Sequence, residues 1–165
     1  MLVIADASPL HYLILLASTE MLPRLFGRVT IPRTVSQELQ HPQAPTMVRG
    51  WMAAPPAWLT IQDVRTAPDA RLAHLDAGER DAILLAQALQ ADLLLMDEWA
   101  GRREAARRGL TVTGVLGVLE RAAQRELLDL PAVLTQLLAT NFYAPASLVH
   151  DLLARDAARK SRPTN

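Results

Sequence analysis

Short apolar runs alternate along this chain with longer segments in which apolar residues recur at helical spacing. Such runs predict short buried strands, and the segments between them predict helices. The strand candidates are residues 2–5, "RVTI" at 28–31, "WLTIQDV" at 58–64, "DLLLMD" at 92–97 and "LTVTG" at 110–114. The alternation predicts an α/β fold with a central, mostly parallel sheet of four or five short strands and helices on both faces.

Local signals place the starts of two of these helices. Ser8 and Pro9 fit the N-cap and first position of a helix after the first strand. Asp76 and Glu79 have the spacing of a capping box at the start of another helix.

The last part of the chain reads as helical throughout. Three helices are predicted in succession from residue 115, in the stretches "VLGVLERAAQREL", "PAVLTQLLAT" and "PASLVHDLLARDAAR". We expect a single domain over residues 1–158 that ends in a helical extension from about residue 131. Residues 159–165 are expected to form a disordered tail.

Composition excludes several classes of function. Seventeen Lys and Arg balance seventeen Asp and Glu, so net charge favours neither nucleic acid nor any other partner. The chain has no cysteine, which excludes disulfides and thiolate metal sites. The glycine-rich phosphate-binding motifs of nucleotide-binding proteins are absent. The first apolar run is too short for a signal peptide or a membrane span, so we expect a cytoplasmic protein without membrane association.

Two predicted strands end in a carboxylate. Asp6 follows the apolar run at residues 2–5, and Asp97 follows "LLLM". Each has a structural interpretation: Asp6 as a turn or cap residue, and Asp97 as an acid that favours the N-terminus of the next helix. Ligands of parallel sheets bind at the carboxyl ends of the strands, so two strand-end acids also favour a site.

Three further acids lie on predicted helices. Glu38 lies beside the apolar face of its helix, where a solvated side chain and a site residue are both open interpretations. Glu79 and Asp81 lie about 200° apart on one helix, so they cannot both point squarely into one site. Glu79 has the capping box to explain it, whereas Asp81 shares its row with apolar residues. We therefore favour Asp81 over Glu79 as a ligand.

Clustered carboxylates repel one another unless a cation neutralises them. An all-oxygen ligand set suits Mg²⁺ or Mn²⁺. Such ions orient water, lower its pKa and stabilise charge on a phosphoryl group. Phosphodiester hydrolysis is the reaction class that this chemistry favours.

Five stretches in order resemble the PIN-domain proteins. They are "VIADASPL", "IPRTVSQEL", "LDAGERDAILLA", "LLLMDEWAGRREA" and "GLTVTGVLGVL". The similarity is greatest to the VapC-like branch often labelled a domain of unknown function, DUF3368. It covers about residues 1–120 well and implies a three-layer α/β/α fold with a metal-dependent ribonuclease site.

The resemblance also implies a set of site residues. The family's acids correspond here to Asp6, Glu38, Asp81 and Asp97, which would be catalytic residues and ligands of Mg²⁺ or Mn²⁺. Possible auxiliary residues are Ser8, through its hydroxyl, and the acids Glu79 and Glu98. The implied partners are an RNA substrate and a small antitoxin protein of a type II toxin–antitoxin pair, and we expect a homodimer or higher oligomer.

Basic residues follow Asp97 in the stretch "GRREAARRG". Arg102 and Arg103 are candidates for contact with RNA phosphates, and a solvated helix face is the alternative. For the whole chain, the alternative to a metal-dependent endoribonuclease is a catalytically silent PIN fold that binds RNA or a protein. A metal bound between the carboxylates would distinguish the two functions.

Overall fold

The computed structural model describes residues 1–161 and contains one five-stranded sheet. The strands are β1 (Val3–Ala5), β2 (Val29–Pro32), β3 (Leu59–Gln62), β4 (Leu93–Leu95) and β5 (Val112–Thr113). Their order is β3-β2-β1-β4-β5, and every neighbouring pair is parallel. The predicted parallel sheet is therefore confirmed, and β3 and β5 are its edge strands.

Nine α-helices alternate with and follow these strands within residues 1–161. They are α1 (Ala7–Leu15), α2 (Met21–Phe26), α3 (Arg33–Leu39), α4 (Thr46–Ala53), α5 (Ala77–Ala88), α6 (Trp99–Arg107), α7 (Val115–Gln124), α8 (Leu130–Leu138) and α9 (Ala146–Lys160). Within Met1–Val115 the helices and the sheet form the three-layer α/β/α arrangement that the sequence predicts.

The sheet has its topological switch point at β1. Successive strands run outward from β1 through β2 to β3, and then in the opposite direction through β4 to β5. Crossover connections leave on opposite sides at such a point, which opens a crevice beyond the strands' carboxyl ends. Asp6 directly follows β1, and Asp97 lies two residues beyond the end of β4.

Apolar side chains of strands and helices form the core of this region. Ile4 and Leu94 pack with Ile83 of α5 and Ala105 of α6 on one face of the sheet. Because side chains alternate along a strand, the flanking strand residues point to the opposite face. The three residues of β1 and the three of β4 are all buried, as expected of a central parallel pair.

One predicted helix start is wrong. The first helix begins at Ala7, and Asp6 occupies the N-cap position without a side-chain cap hydrogen bond. Ser8 lies inside the helix, where its hydroxyl donates to Asp97 instead of to a backbone amide. The cap signal of Ser8 and Pro9 was overridden because the Ser8 hydroxyl has a carboxylate partner from another strand.

The described residues fall into two compact units, Met1–Val115 and the chain from Leu116 onward. The second unit carries α8 and α9, and the single domain over residues 1–158 stays a prediction. Helix α9 continues to Lys160, two residues into the segment predicted to be a tail, and residues 162–165 lie outside the described residues. Across residues 1–161 no helix is both long enough and apolar enough to cross a bilayer.

The core of the sheet should respond strongly to truncation. Leu94 is 0% exposed, whereas Met47 on α4 is 56% exposed. We expect Leu94→Ala to lower the free energy of unfolding by about 2–5 kcal/mol, because it removes buried contacts and leaves a cavity. Met47→Ala is the control and should change it by less than about 0.5 kcal/mol. Urea denaturation measures both values, and equal losses would contradict the assigned core.

Candidate active site

Asp6 is a buried carboxylate at the switch point of the sheet. The residue is 4% exposed. Its backbone amide donates to the carbonyl of Leu95 at 2.9 Å, which continues the β1–β4 ladder by one residue. Among the described residues, the Oδ1 atom of Asp6 is buried and has no hydrogen-bond partner. A buried oxygen of this kind is costly unless a donor or a cation reaches it.

The charges of three other acids act on this carboxylate. The pKa of Asp6 is raised from 3.8 to about 8: burial is the largest cause, a hydrogen bond from the Ala7 amide opposes it, and the charges of Asp76, Glu38 and Glu79 add to the rise. Asp6, Glu38, Asp76 and Glu79 therefore interact electrostatically, and we call these four side chains the acidic cluster. A bound cation would relieve this repulsion.

The capping box of α5 is part of this acidic cluster. The Asp76 side chain accepts from the Glu79 amide at 2.9 Å, and the Asp76 amide donates to Glu79 Oε2 at 3.2 Å. The predicted capping box is confirmed. Burial raises the pKa of the Glu79 carboxyl, and the charge of Asp76 raises it further. The sequence suggested that capping explains these two acids, and it missed Asp76 as a member of the cluster.

Glu38 reaches the first turn of α5 through Gly78. Burial raises the pKa of Glu38, the charge of Asp76 raises it further, and a hydrogen bond from the Gly78 amide lowers it. A Cβ on Gly78 would lie 2.6 and 2.7 Å from the two carboxylate oxygens of Glu38. Glycine at this position therefore lets the carboxylate approach the helix backbone.

Asp81 lies on α5, three residues after Gly78, and its side chain contacts α3. Its Oδ2 accepts from the Thr34 hydroxyl at 2.9 Å. Its charge raises the pKa of Glu38, although it is a smaller effect there than that of Asp76 or Glu79. Asp81 therefore lies beside the cluster, while Glu79 contributes directly to the field at Asp6.

Asp97 is held by two hydrogen bonds, one from α1 and one from the start of α7. Its Oδ1 accepts from the Val115 amide at 2.8 Å, and its Oδ2 accepts from the Ser8 hydroxyl at 3.3 Å. Burial raises the pKa of Asp97, and these two hydrogen bonds lower it. The charge of Asp97 in turn raises the pKa of Tyr12, although burial of Tyr12 raises it more. Ser8 and Tyr12 are four residues apart on α1, so one helix row faces Asp97.

The charge of Glu98 acts both on Asp97 and on a member of the acidic cluster, Glu79. Glu98 is exposed and raises the pKa of both Asp97 and Glu79. The predicted ligands Asp6 and Glu38 belong to the acidic cluster, whereas Asp97 has its own hydrogen bonds from Ser8 and Val115.

The two candidate RNA-binding arginines have different surroundings. The Arg102 Nη1 atom donates to the carbonyl of Met96 at 3.0 Å, and its charge lowers the pKa of Asp97. The Arg103 guanidinium lies 5.0 Å from the ring centroid of Trp99, which is 67% exposed. Arg102 therefore supports the end of β4, and contact of either arginine with RNA stays a prediction.

The acids fit a hard divalent cation in chemistry. Their donors are all oxygen, and the unpartnered Asp6 Oδ1 is a ligand atom without a competing donor. Within residues 1–161, no three Asp, Glu or His side chains are grouped closely enough to hold a metal ion by themselves. Mg²⁺ usually keeps several waters and takes only one or two protein carboxylates, so an open set of this kind is compatible with it.

Comparison with known proteins identifies the family. The model of the family DUF3368, described as a PIN domain, matches residues 2–157. The chain belongs to the PIN-domain family. No curated protein and no solved structure shows a significant match to it. The match confirms, for the family and its fold, the resemblance that the five sequence stretches show. PIN domains are in general nucleases.

The buried Asp6 should make the metal-free PIN domain less stable as pH rises. Its pKa is about 8 in the folded chain and 3.8 ordinarily, so between these values the folded state binds more protons than the unfolded state. The free energy of unfolding then falls with rising pH. Each pKa unit corresponds to about 1.4 kcal/mol, so we expect a fall of a few kcal/mol. Asp6→Asn should reduce this fall, and the raised pKa values of Glu38, Glu79 and Asp97 account for the part that remains.

Urea denaturation in a chelator at about pH 5 and about pH 8 measures this effect. Asp151→Asn, at an exposed aspartate of α9, is the matched control and should keep the pH dependence of the wild type. Equal pH dependence in Asp6→Asn and wild type would contradict the electrostatic account of Asp6.

Proposed function

We propose that this PIN domain is a metal-dependent endoribonuclease that hydrolyses RNA phosphodiester bonds, and that it is the cytoplasmic toxin of a type II toxin–antitoxin pair. The observation that carries the proposal is the buried Asp6 carboxylate at the switch point of a PIN sheet, whose Oδ1 has no partner among the described residues and whose pKa is raised by the charges of three further acids. The family match supports nuclease chemistry, and the all-oxygen donors support Mg²⁺ or Mn²⁺ as the cofactor.

Three of the four predicted ligands, Asp6, Glu38 and Asp97, are also the ligands in this proposal. Between the two alternatives on α5, Glu79 is supported by its effect on the pKa of Asp6, whereas Asp81 is hydrogen-bonded to Thr34. We therefore assign Glu79 to the metal centre, with Asp81 at its border. When bound, the ion lowers the pKa of a water molecule and neutralises charge on the phosphoryl group.

The protein residues position the ligands and supply no covalent nucleophile in this proposal. Ser8 and the Val115 amide orient the Asp97 carboxylate, and the Gly78 amide orients that of Glu38. Water attacks the phosphorus in line, the 3′ oxygen leaves, and the product carries a 5′ phosphate. Burial of Asp6 excludes competing water from the innermost carboxylate.

The proposed antitoxin and homo-oligomer need an accessible apolar surface. Large apolar side chains are exposed in the unit from Leu116 onward, at Leu138, Tyr143 and Leu148. Tyr143 is 83% exposed. These side chains support burial against a second protein, either the antitoxin or another copy of the chain.

A catalytically silent PIN fold that binds RNA or protein is the second candidate. The absence of a closed group of three ligands among residues 1–161 favours it. The two candidates differ in whether the chain cleaves RNA when Mg²⁺ or Mn²⁺ is present.

Cleavage of single-stranded RNA should depend on divalent metal and on Asp6. We expect Asp6→Asn to lose at least about 100-fold in rate, because a neutral amide no longer attracts the ion whose stabilisation of the phosphoryl group is worth several kcal/mol. Asp151→Asn should cleave at the wild-type rate. Purified chains, a labelled RNA and added Mn²⁺ or chelator measure this, and equal rates for wild type and Asp6→Asn would refute the proposed function.

Gly78→Ala should separate activity from stability. The new Cβ would overlap the Glu38 carboxylate, which is the end of a flexible side chain and can move away. Stability should be kept or rise by up to about 1 kcal/mol, because a helical glycine is replaced. The cleavage rate should fall, because Glu38 leaves the acidic cluster.

Gly50→Ala on α4 is the matched control for this change. A Cβ there meets nothing within 4 Å, so the same backbone gain comes without displacing any side chain. Its cleavage rate should equal that of the wild type. A Gly78→Ala chain with wild-type activity would contradict the placement of Glu38 in the site.

A further inference from the structure

A groove of about 630 Å³ lies directly beside the acidic cluster. Its walls are α3, α5 and the segment between β3 and α5. Its size is within the range of small-molecule sites, large enough for a nucleotide. The lining residues that matter here are Arg33, Thr34 and Gln37 of α3, and Arg80, Asp81 and Leu84 of α5.

Helix geometry connects the groove to the candidate metal centre. Thr34 and Glu38 are four residues apart, so they lie on one row of α3. Glu38 contacts the Gly78 amide and Thr34 contacts Asp81, so this row faces α5 along its length. One helical turn is about 5.4 Å, a short step on the scale of a nucleotide. The groove therefore begins about one turn from the acids, at the Thr34–Asp81 hydrogen bond.

Two guanidinium groups and three carboxylates line the groove. Within residues 1–161, Arg80 forms no ion pair, although it lies between the acids Glu79 and Asp81 in the chain. Arg33 pairs with Asp63, but both side chains of this pair are more than half exposed. Exposed ion pairs contribute little, so Arg33 can exchange Asp63 for a phosphate at small cost.

The groove also has an apolar side. Leu84 of α5 lines it, and so do Val64, Pro68 and Leu72 of the segment between β3 and α5. An apolar wall beside two guanidinium groups matches the two halves of a nucleotide, which are a flat base and a charged phosphate. A metal-activated attack site alone does not require either feature.

We propose that this groove binds the nucleotide next to the scissile phosphate of a single-stranded RNA. Arg80 and Arg33 contact its phosphates, and the wall around Leu84 packs against its base. The inference rests on the proposed ribonuclease function and adds where the strand leaves the metal centre. It assigns the strand contact to Arg80 and Arg33 on α5 and α3, in addition to the predicted Arg102 and Arg103 on α6.

Binding of a labelled single-stranded RNA to the Asp6→Asn chain in Mg²⁺ tests the groove without cleavage. Arg80→Gln in this background should weaken binding about three- to tenfold and reduce the slope of log affinity against log salt by about 0.7, the value for one phosphate contact on a single strand. Gln37→Glu, at an exposed position in the groove, should weaken binding through repulsion. Asp63→Asn should tighten binding because it releases Arg33.

Arg28→Gln is the matched control. Arg28 is exposed and precedes β2, so it lies at the amino end of the sheet, opposite to the groove. Its variant should bind with the affinity and salt slope of the parent. Thermal unfolding of each variant verifies that the fold is kept.

The outcomes separate this inference from the proposed function. If wild type cleaves RNA but Arg80→Gln, Gln37→Glu and Arg28→Gln all bind alike, the groove inference is overturned and the ribonuclease proposal stands. If Arg80→Gln and Gln37→Glu weaken binding while wild type cleaves no RNA with Mg²⁺ or Mn²⁺, the groove is supported and the ribonuclease proposal fails. Absence of RNA binding by the parent chain overturns the groove inference.

Discussion

Burial of the Asp6 carboxylate at the end of β1 is the constraint on which the rest of the site depends. A central parallel strand ends at a crevice where ligands bind, and Asp6, the first polar residue beyond β1, is 4% exposed. The backbone of Asp6 stays in the β1–β4 ladder through its hydrogen bond to Leu95. Its Oδ1 is buried without a donor among residues 1–161, and the free chain holds that carboxyl with a raised pKa.

The packing of α3 against α5 brings the other acids to this point. Gly78 provides the space and the amide that the Glu38 carboxylate occupies, and the capping box holds Asp76 and Glu79 beside it. The same helix row then presents Thr34 to Asp81 and opens into the groove. One helix–helix contact thus positions the proposed metal centre and the proposed strand-binding site, so changes at this contact affect both.

Much of this arrangement was predictable because the local signals agree with the global fold. Apolar runs located all five strands, and the spacing of Asp76 and Glu79 located the start of α5. The five family stretches identified the PIN fold. These features depend on residues close in sequence, where periodicity and capping chemistry are decisive.

Features that depend on distant residues were missed. Ser8 looked like a cap because nothing in its neighbourhood reveals that Asp97, 89 residues away, accepts its hydroxyl. Asp76 looked explained by capping, although a capping side chain at a switch point also contributes charge to a buried neighbour. The four-residue spacing of Ser8 and Tyr12 was a usable signal for the face that meets Asp97.

Anomalous diffraction from crystals soaked in millimolar Mn²⁺ tests the central claim most directly. The account predicts a manganese peak in contact with the Asp6 carboxylate and near Glu38 and Glu79, which disappears in Asp6→Asn crystals. No peak at Asp6 in well-ordered wild-type crystals, or a peak that persists unchanged in Asp6→Asn, would contradict it.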